Sequence, residues 1–475
     1  MPALHLGYSP DGNAGERLAA FYRTRAAGGA GLLIVGGCGI DSLGYSASML
    51  RIDNDEAVPG FSQLVHSIHE AGGVAALQLF HSGRYAKSKV TGSTPVAPSA
   101  VYSSYSKEIP RELLPDEIYT IQDAYAAAAE RAKRCGFDAI EIICSAGYLV
   151  SQFLSPLTNK RTDDYGGCWE NRRRFGGEVL TKVRAVVGPD FPLIVRIAGN
   201  DFMSGGNTSA EAAKFAIYLE SLGADAVNVT GGWHETNVPQ LTPQLPPGGL
   251  AYLAATVKNN VEIPVIASNR INDVFLAEEL LRSGVADGIC MGRQLVCDPD
   301  TPNKARSGDT DLIVKCSGCG QACSDNTFAG KPLGCVQNPY AGREHLPDNV
   351  QTGTGKRILV VGGGASGIEF ALSARRRGHE VTIYEKADIL GGSLNILAKL
   401  PGKRELIDFA EVRKRMLMRE GVSCRTGVHV TAGLLERAVC DIIVLAVGRP
   451  DTPEAIENNG FEGNIASVYS LIRGD

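Results

Sequence analysis

Short apolar or β-branched runs alternate with helical patterns over roughly the first 300 residues, and this alternation restricts the fold more than any other feature of the chain. The runs are MPAL at 1–4, LLIVGG at 32–37, VAALQLF at 74–80, DAIEII at 138–143, PLIVRIA at 192–198, AVNVT at 226–230, PVIAS at 264–268 and GICMG at 288–292. Strands this uniformly apolar need cover on both faces, as in a parallel sheet flanked by helices. Helical patterns at 15–27, 61–71, 115–135, 170–187, 210–222, 250–259 and 273–283 supply the cover. The helix near 209–222 opens on Ser209 as its cap and carries Ala212, Phe215, Leu219 and Leu222 on one face. Eight strands in such alternation predict an α/β fold, a (β/α)8 TIM barrel; an open, doubly wound sheet is the alternative. A barrel normally has chain leading into its first strand, and here that strand starts at residue 1, so the N-terminus is expected to be clipped or mis-started.

The 475 residues allow a large and a smaller domain. Hydrophobic content of 44% and charge of 21% are those of a globular protein, and a net charge of −5 gives no reason to expect nucleic acid or an anionic membrane as partner. No apolar run reaches the length of a membrane span, and MPALHLGYSPDG lacks the basic and apolar regions of a signal peptide. Twelve cysteines without such a signal fit a reducing, cytoplasmic setting.

Barrel chemistry sits at the C-terminal strand ends. There the sequence offers His5, Gly36-Gly37, Gln78 and His81, Tyr148, Arg196, Trp233-His234-Glu235, Ser268-Asn269-Arg270 and Gly292-Arg293. Arg270, Arg293 and the Gly292 amide suit a phosphate after the last two strands. Arg196 and Gln78 could meet the polar rim of a flavin, where a cation favours the reduced anion. Tyr148 and His234 form a candidate proton-donor pair. A lone Tyr or His is more often a packed ring with one hydrogen bond; eight polar strand ends together weigh against that reading.

Four cysteines follow the barrel in CSGCGQACSDNTFAGKPLGC: Cys316, Cys319, Cys323 and Cys335. The spacing has one C-x2-C knuckle where zinc ribbons have two, which favours a 4Fe-4S cluster over zinc. The other eight cysteines are expected to be mostly small buried apolar residues. After a polar linker at 341–356, an apolar strand runs into Gly362, Gly364 and Gly367 in G-x-G-x-x-G spacing, then a helix, then a strand ending in Glu385, 18 residues after the last Gly. That context marks a dinucleotide site: the glycines admit a pyrophosphate at the helix N-terminus and Glu385 takes ribose hydroxyls. A further strand lies in DIIVLAVGRP at 441–450, and the module as a whole reads as unfinished.

GYLVSQFLSPLTNKRTDDYGGCWENRRRF at 147–175 and the cysteine run ending in CVQNP at 335–339 resemble the old yellow enzyme family, in its iron-sulfur branch of 2,4-dienoyl-CoA reductase, 2-enoate reductase and trimethylamine dehydrogenase. The resemblance covers essentially the whole chain. It implies an FMN-binding barrel at 1–308, a 4Fe-4S segment at 309–345 and a partial, truncated FAD domain at 356–475. It implies FMN contacts at Pro2, Ala3, Leu4, Gly36, Gln78, Arg196, Arg270, Gly292 and Arg293, and FAD contacts at Ala365, Glu385 and the Gly391-Gly392 turn. Ile143 and Ala146 stand where simple members carry a carbonyl-binding polar pair, and GGWHETNVP is similar to the dienoyl-CoA reductase run. No Cys near Leu4 is placed to attach FMN covalently, as the trimethylamine branch does. Asn237 replaces a substrate-side Arg, which puts CoA recognition in doubt.

The expected activity is an NAD(P)H-dependent ene-reductase acting on an α,β-unsaturated thioester or carboxylate. Hydride passes to FAD, electrons cross the cluster singly to FMN, FMN returns hydride, and Tyr148 with His234 gives the proton. Alternatives are another enone of bile-acid or flavonoid type, an amine dehydrogenase, or a non-catalytic electron-transfer protein. Amine oxidation would want an aromatic cage, and Trp233 is the one Trp near the strand ends. The expected partner is a small unsaturated molecule, with oligomerisation open.

Overall fold

A computed structural model describes residues 1–237, 243–346 and 355–448. The middle of the linker, the end of the 441–450 run and the rest of the second domain to residue 475 lie outside the described residues. The chain divides into two compact units, Met1–Asn303 with Gly318–His345, and Lys304–Ser317 with Leu346–Asp475.

The first unit holds an eight-stranded sheet. Its order is Gly288–Ile289, Val265–Ala267, Ala226–Thr230, Leu193–Ala198, Ala139–Cys144, Val74–Phe80, Leu32–Gly39 and Leu50–Arg51. Every pairing is parallel. This is the TIM barrel. The strands are near-continuously buried, so each must be covered inside and out, and the alternating helices do that. The helix predicted over 115–135 spans Pro115–Arg134, that over 170–187 spans Trp169–Val187, and that over 273–283 spans Val274–Arg282 with Asp273 capping the Phe275 and Leu276 amides.

Two local expectations are corrected. Residues 1–4 form no ladder strand. They lie alongside Leu32–Gly39 through bonds from the Met1 amine to Leu32 O and from Ile34 N to Met1 O, and at their other flank Pro2 packs beside Gly292. The extended N-terminal residues thus sit between the first and last barrel strands without regular pairing. At the helix Ser209–Ser221 the cap is Thr208, whose amide and hydroxyl both donate to Glu211 (2.7 and 2.6 Å). Ser209 is the first helical residue.

The second unit has a four-stranded parallel sheet in the order Ser423–Arg425, Glu380–Tyr384, Arg357–Val361, Ile442–Leu445. Its first strand is central and the fourth reverses to the other side, the arrangement of a dinucleotide-binding half. Among the described residues no helix is long and apolar enough to cross a membrane.

Candidate active site at the barrel mouth

The strand-end residues meet in two tiers. The lower is a polar layer inside an otherwise apolar barrel. Gln78 and Glu141 are register partners on neighbouring strands, and Gln78 Nε2 donates to Glu141 Oε1 at 2.6 Å. Asn228 Nδ2, two strands further round, donates to Glu141 Oε2 at 2.7 Å. All three side chains are buried. Arg196, the register partner of Asn228, keeps its Nη1 buried without a protein partner, and Asn228 Oδ1 is in the same state. A buried donor and a buried acceptor left unmet cost free energy unless a ligand meets them. Gly36 and Gly37 bring bare backbone beside this layer: a Cβ on Gly37 would sit 3.2 Å from Gln78 Oε1. These features fit the polar edge of a flavin ring.

The upper tier is the proton-donor pair. Tyr148 Oη lies 2.7 Å from His234 Nε2. Ala146 and Gly147, both in the left-handed region (φ 59° and 84°), turn the chain sharply after Ala139–Cys144. Gly147 is required twice over, because a Cβ there would come within 2.3 Å of Tyr85 Oη. A bridge between Ala146 and Trp233 and a bond from His234 N to Ala146 O (3.4 Å) then set the two rings side by side. Burial raises the Tyr148 phenol above its ordinary value and lowers the His234 imidazole to about 4, so both are neutral near pH 7.

Tyr105 stacks on His234 (5.0 Å, 23°), Tyr85 stands edge-on to both Tyr148 and His234, and Phe80 meets Tyr148 at 4.4 Å. Tyr85 and Tyr105 were not among the sequence candidates. Both lie in the irregular 81–114 stretch, where no period marks a residue as functional. Trp233, the Trp near the strand ends, is buried and donates from Nε1 to Asp201 (2.8 Å). The rings around the dyad are Tyr85, Tyr105 and Phe80. Glu235 accepts from Tyr85 Oη (2.8 Å), from the Ser104 amide (2.7 Å) and from the Arg84 guanidinium, and so pins the 102–106 segment over His234. His81 is fully buried beside Asp41, while burial lowers His5.

At the predicted phosphate end, Asn269 and Arg270 are both left-handed (φ 74° and 57°), and Arg270 Nε donates to Leu245 O at 2.9 Å. Gly292 caps the short helix Arg293–Cys297, and a Cβ on it would lie 3.2 Å from Pro2 and 3.5 Å from Leu4. Pro2, Leu4 and Gly292 therefore come together, whereas Ala3 packs into the apolar layer of Ile34, Ala76, Ala139 and Ile194.

Among the described residues, no group of three or more His, Cys, Asp or Glu side chains is close enough to hold a metal ion. Cys316 belongs to the second compact unit and Cys319, Cys323 and Cys335 to the first. Cys335 is nonetheless prepared as a thiolate. Its sulfur accepts from the Gln337 amide (3.4 Å), and the neighbouring Cys297 thiol, more than anything else, lowers it to about 7. Of the eight scattered cysteines, Cys38, Cys135, Cys144, Cys290 and Cys297 are buried, but Cys168 and Cys424 are exposed and Cys440 is partly so.

In the second unit the glycine-rich turn is a backbone site. A Cβ on Gly362 would meet Ala446 O at 2.4 Å, one on Gly367 would meet Gly362 O at 2.0 Å, and one on Gly364 would meet nothing within 4 Å. Gly364 thus faces open space as the cap of the helix Ala365–Arg376. Gly391 N donates to Gly363 O (2.8 Å), and Gly392 (φ 53°) packs onto Gly364. Glu385 accepts from the Gly363 and Ala387 amides (2.6 and 2.8 Å). It braces the glycine-rich turn with one carboxylate oxygen and its own following loop with the other, a duty the sequence did not reveal.

The model of the NADH:flavin oxidoreductase / NADH oxidase family matches residues 1–311, and that of pyridine nucleotide-disulphide oxidoreductases matches 212–465. A metal reductase of Desulforamulus reducens is 51% identical over 479 residues, covering 100% of this chain and 71% of that protein. A cinnamate reductase of Clostridium sporogenes is 30% identical over 496 residues, covering 97% and 72%. Among solved structures, a 2-naphthoyl-CoA reductase in complex with 2-naphthoyl-CoA superposes with a TM-score of 0.94 at 31% identity, covering 99% of this chain and 74% of that one. The chain belongs to the NADH:flavin oxidoreductase / NADH oxidase family, with an old yellow enzyme-like barrel, and is an oxidoreductase.

Proposed function

We propose that this member of the family is an ene-reductase for an α,β-unsaturated carboxylate or thioester, with FMN in the barrel, FAD on the glycine-rich turn and NAD(P)H as reductant. The observation that carries the reading is the 2.7 Å contact between Tyr148 and His234, two neutral groups set above the buried polar layer. Gln78 and Arg196 would hold the ring edge of FMN, and Pro2, Leu4, Gly292, Arg270 and Arg293 its remainder. When bound, the reduced flavin supplies the hydride for one alkene carbon. Tyr148 supplies the proton for the other from its phenol oxygen. His234 Nε2, in the tautomer that carries its proton there, steadies the phenolate left behind. Tyr85, Tyr105 and Phe80 keep water from the pair and offer a flat apolar wall to a conjugated substrate. The cinnamate and naphthoyl-CoA relatives support that substrate class.

The Cys316, Cys319, Cys323 and Cys335 run is proposed to hold a 4Fe-4S cluster on the strength of its spacing. The described side chains do not gather as a metal site. Counting iron, sulfide, FMN and FAD in anaerobically purified protein tests all three groups together.

A second reading rests on the 51% identity to a metal reductase: outer-sphere electron transfer from reduced flavin to an oxidised metal ion. The two readings differ in their need for a proton donor. In Tyr148→Phe, alkene reduction is expected to fall about 10²–10⁴-fold, with ferricyanide or ferric citrate reduction unchanged. Alkene turnover surviving in Tyr148→Phe would overturn the dyad assignment.

A further inference from the structure

The buried carboxylate at the centre of the polar layer has no place in the mechanism above. Glu141 lies mid-strand in Ala139–Cys144, is 0% exposed, and sends both oxygens to amide nitrogens, those of Gln78 and Asn228. The carboxylate accepts at both oxygens, one amide nitrogen to each. It therefore sorts the two amides: each must turn its NH2 inward, toward Glu141, and its oxygen the other way. Without such a partner an amide's two ends are nearly interchangeable. The outward oxygens stand where this requires. Asn228 Oδ1 is buried with no protein partner, and Gln78 Oε1 lies beside the bare backbone of Gly37. Arg196 Nη1, on the strand between those of Glu141 and Asn228, is a buried donor without a protein partner.

The layer thus presents acceptors of fixed identity next to one fixed donor. The pyrimidine edge of an isoalloxazine carries an N3–H donor between two carbonyl acceptors, so one of these amide oxygens can take the N3–H and Arg196 Nη1 can donate to a carbonyl. We propose that Glu141 is a positioning residue that locks the Gln78 amide with its oxygen toward the flavin, as acceptor for the N3–H, and leaves a carbonyl to Arg196. Glu141 touches neither flavin nor substrate; it acts through Gln78. The inference rests on the assignment of FMN to the barrel.

The test is a double-mutant cycle read on FMN affinity, by flavin fluorescence quenching on titration into flavin-stripped full-length protein. Glu141→Gln gives Gln78 a neighbour that can donate as well as accept, so the amide is no longer held in one orientation. FMN affinity is expected to fall roughly tenfold in Glu141→Gln. In a Gln78→Ala background, which is itself weaker, adding Glu141→Gln is expected to change nothing further. Equal losses in both backgrounds, or no loss from Glu141→Gln alone, would overturn the role, since a merely structural carboxylate acts whether or not Gln78 is present. Should Glu141→Gln fail to fold, wild-type protein loaded with ¹⁵N-labelled FMN decides the matter: the N3–H resonance must be shifted downfield and protected from solvent exchange. An N3–H exchanging as in free flavin sinks the proposal. Wild-type protein that takes up no FMN would end both this inference and the FMN assignment, whereas flavin-loaded wild type with additive losses ends only the part assigned to Glu141.

Discussion

The two units build their sites from different materials. In the barrel the candidate site is made of side chains sent from many strands and loops to one point: Gln78, Glu141, Tyr148, Arg196, Asn228, His234 and Glu235 come from six separate segments. In the second unit it is made of backbone from a single turn, where Gly362, Gly364 and Gly367 matter for what they lack. A site of converging side chains fails when a partner is removed. A backbone site fails when an atom is added. That difference governs which substitutions each unit tolerates, and it can be tested directly.

The largest effect is expected at the Arg84–Glu235 pair, whose side chains are 4% and 6% exposed. Arg84→Met would leave Glu235 charged and buried, with only the Tyr85 hydroxyl and the Ser103–Ser104 groups as donors. Loss of one partner of such a pair destabilises by about 3–5 kcal/mol. Both tryptophans, Trp169 and Trp233, lie in the barrel unit, so urea unfolding followed by Trp fluorescence reports that unit. An unchanged midpoint would show that the hydroxyl and amide donors suffice to hold Glu235.

Gly367→Ala applies the opposite operation to the other unit. The new Cβ would stand 2.0 Å from Gly362 O, an overlap that only backbone movement relieves. A destabilisation of about 1–3 kcal/mol confined to the second unit is expected, read as FAD loss and faster proteolysis there, with barrel fluorescence unchanged. FAD content equal to wild type would break the contrast between the two kinds of site.

How much of this was legible beforehand follows the same division. The run AVNVT at 226–230 coincides with strand Ala226–Thr230, and the helical pattern at 170–187 differs from Trp169–Val187 by one residue. Long elements declare themselves because burial imposes a period on them. Two-residue strands such as Val96–Ala97 impose none and were not foreseen. The glycine turn was legible because it is local, needing only its own dozen residues. The dyad could be read from strand ends, but its supports could not: Glu235 reaches Ser104, 131 residues away, and Glu141 reaches Asn228, 87 residues away. A signal was present all the same. Glu141 interrupts AIEIIC and Asn228 interrupts AVNVT, and a polar residue inside a strand buried on both faces must have a partner or a duty.

Acid titration separates two buried groups within the barrel. His234 is lowered to about 4 by burial, against about 6.5 in an unfolded chain. Between those values the unfolded chain takes a proton that the folded protein does not, so stability falls as pH drops through that window and levels off below it. Asp201, raised by burial to about 6, acts with the opposite sign: its folded state keeps a proton that the unfolded chain releases, so its contribution is present at low pH and is lost as pH rises through 6. His234→Gln should therefore flatten the loss of thermal stability between pH 6.5 and 4, and Asp201→Asn should steepen it. Identical slopes in both variants would mean that neither group titrates as its burial dictates.

The smallest stability effect is expected at Gly364, and it is the sharpest form of the comparison. Gly364 has ordinary backbone angles (φ −78°, ψ −176°), and no atom lies within 4 Å of where its Cβ would go. Nothing in the fold demands glycine there. Ala at this position should change stability by no more than about 0.5 kcal/mol. The same methyl would, however, project into the open space at the start of the helix Ala365–Arg376, where a pyrophosphate must approach the backbone closely. Gly364→Ala is thus expected to fold like wild type and bind FAD weakly, while Gly367→Ala loses both together. Isothermal titration of FAD into the two variants, alongside their melting curves, distinguishes a glycine kept for the ligand from one kept for the fold. If Gly364→Ala binds FAD as tightly as wild type, the open space beside it is not where the pyrophosphate lies.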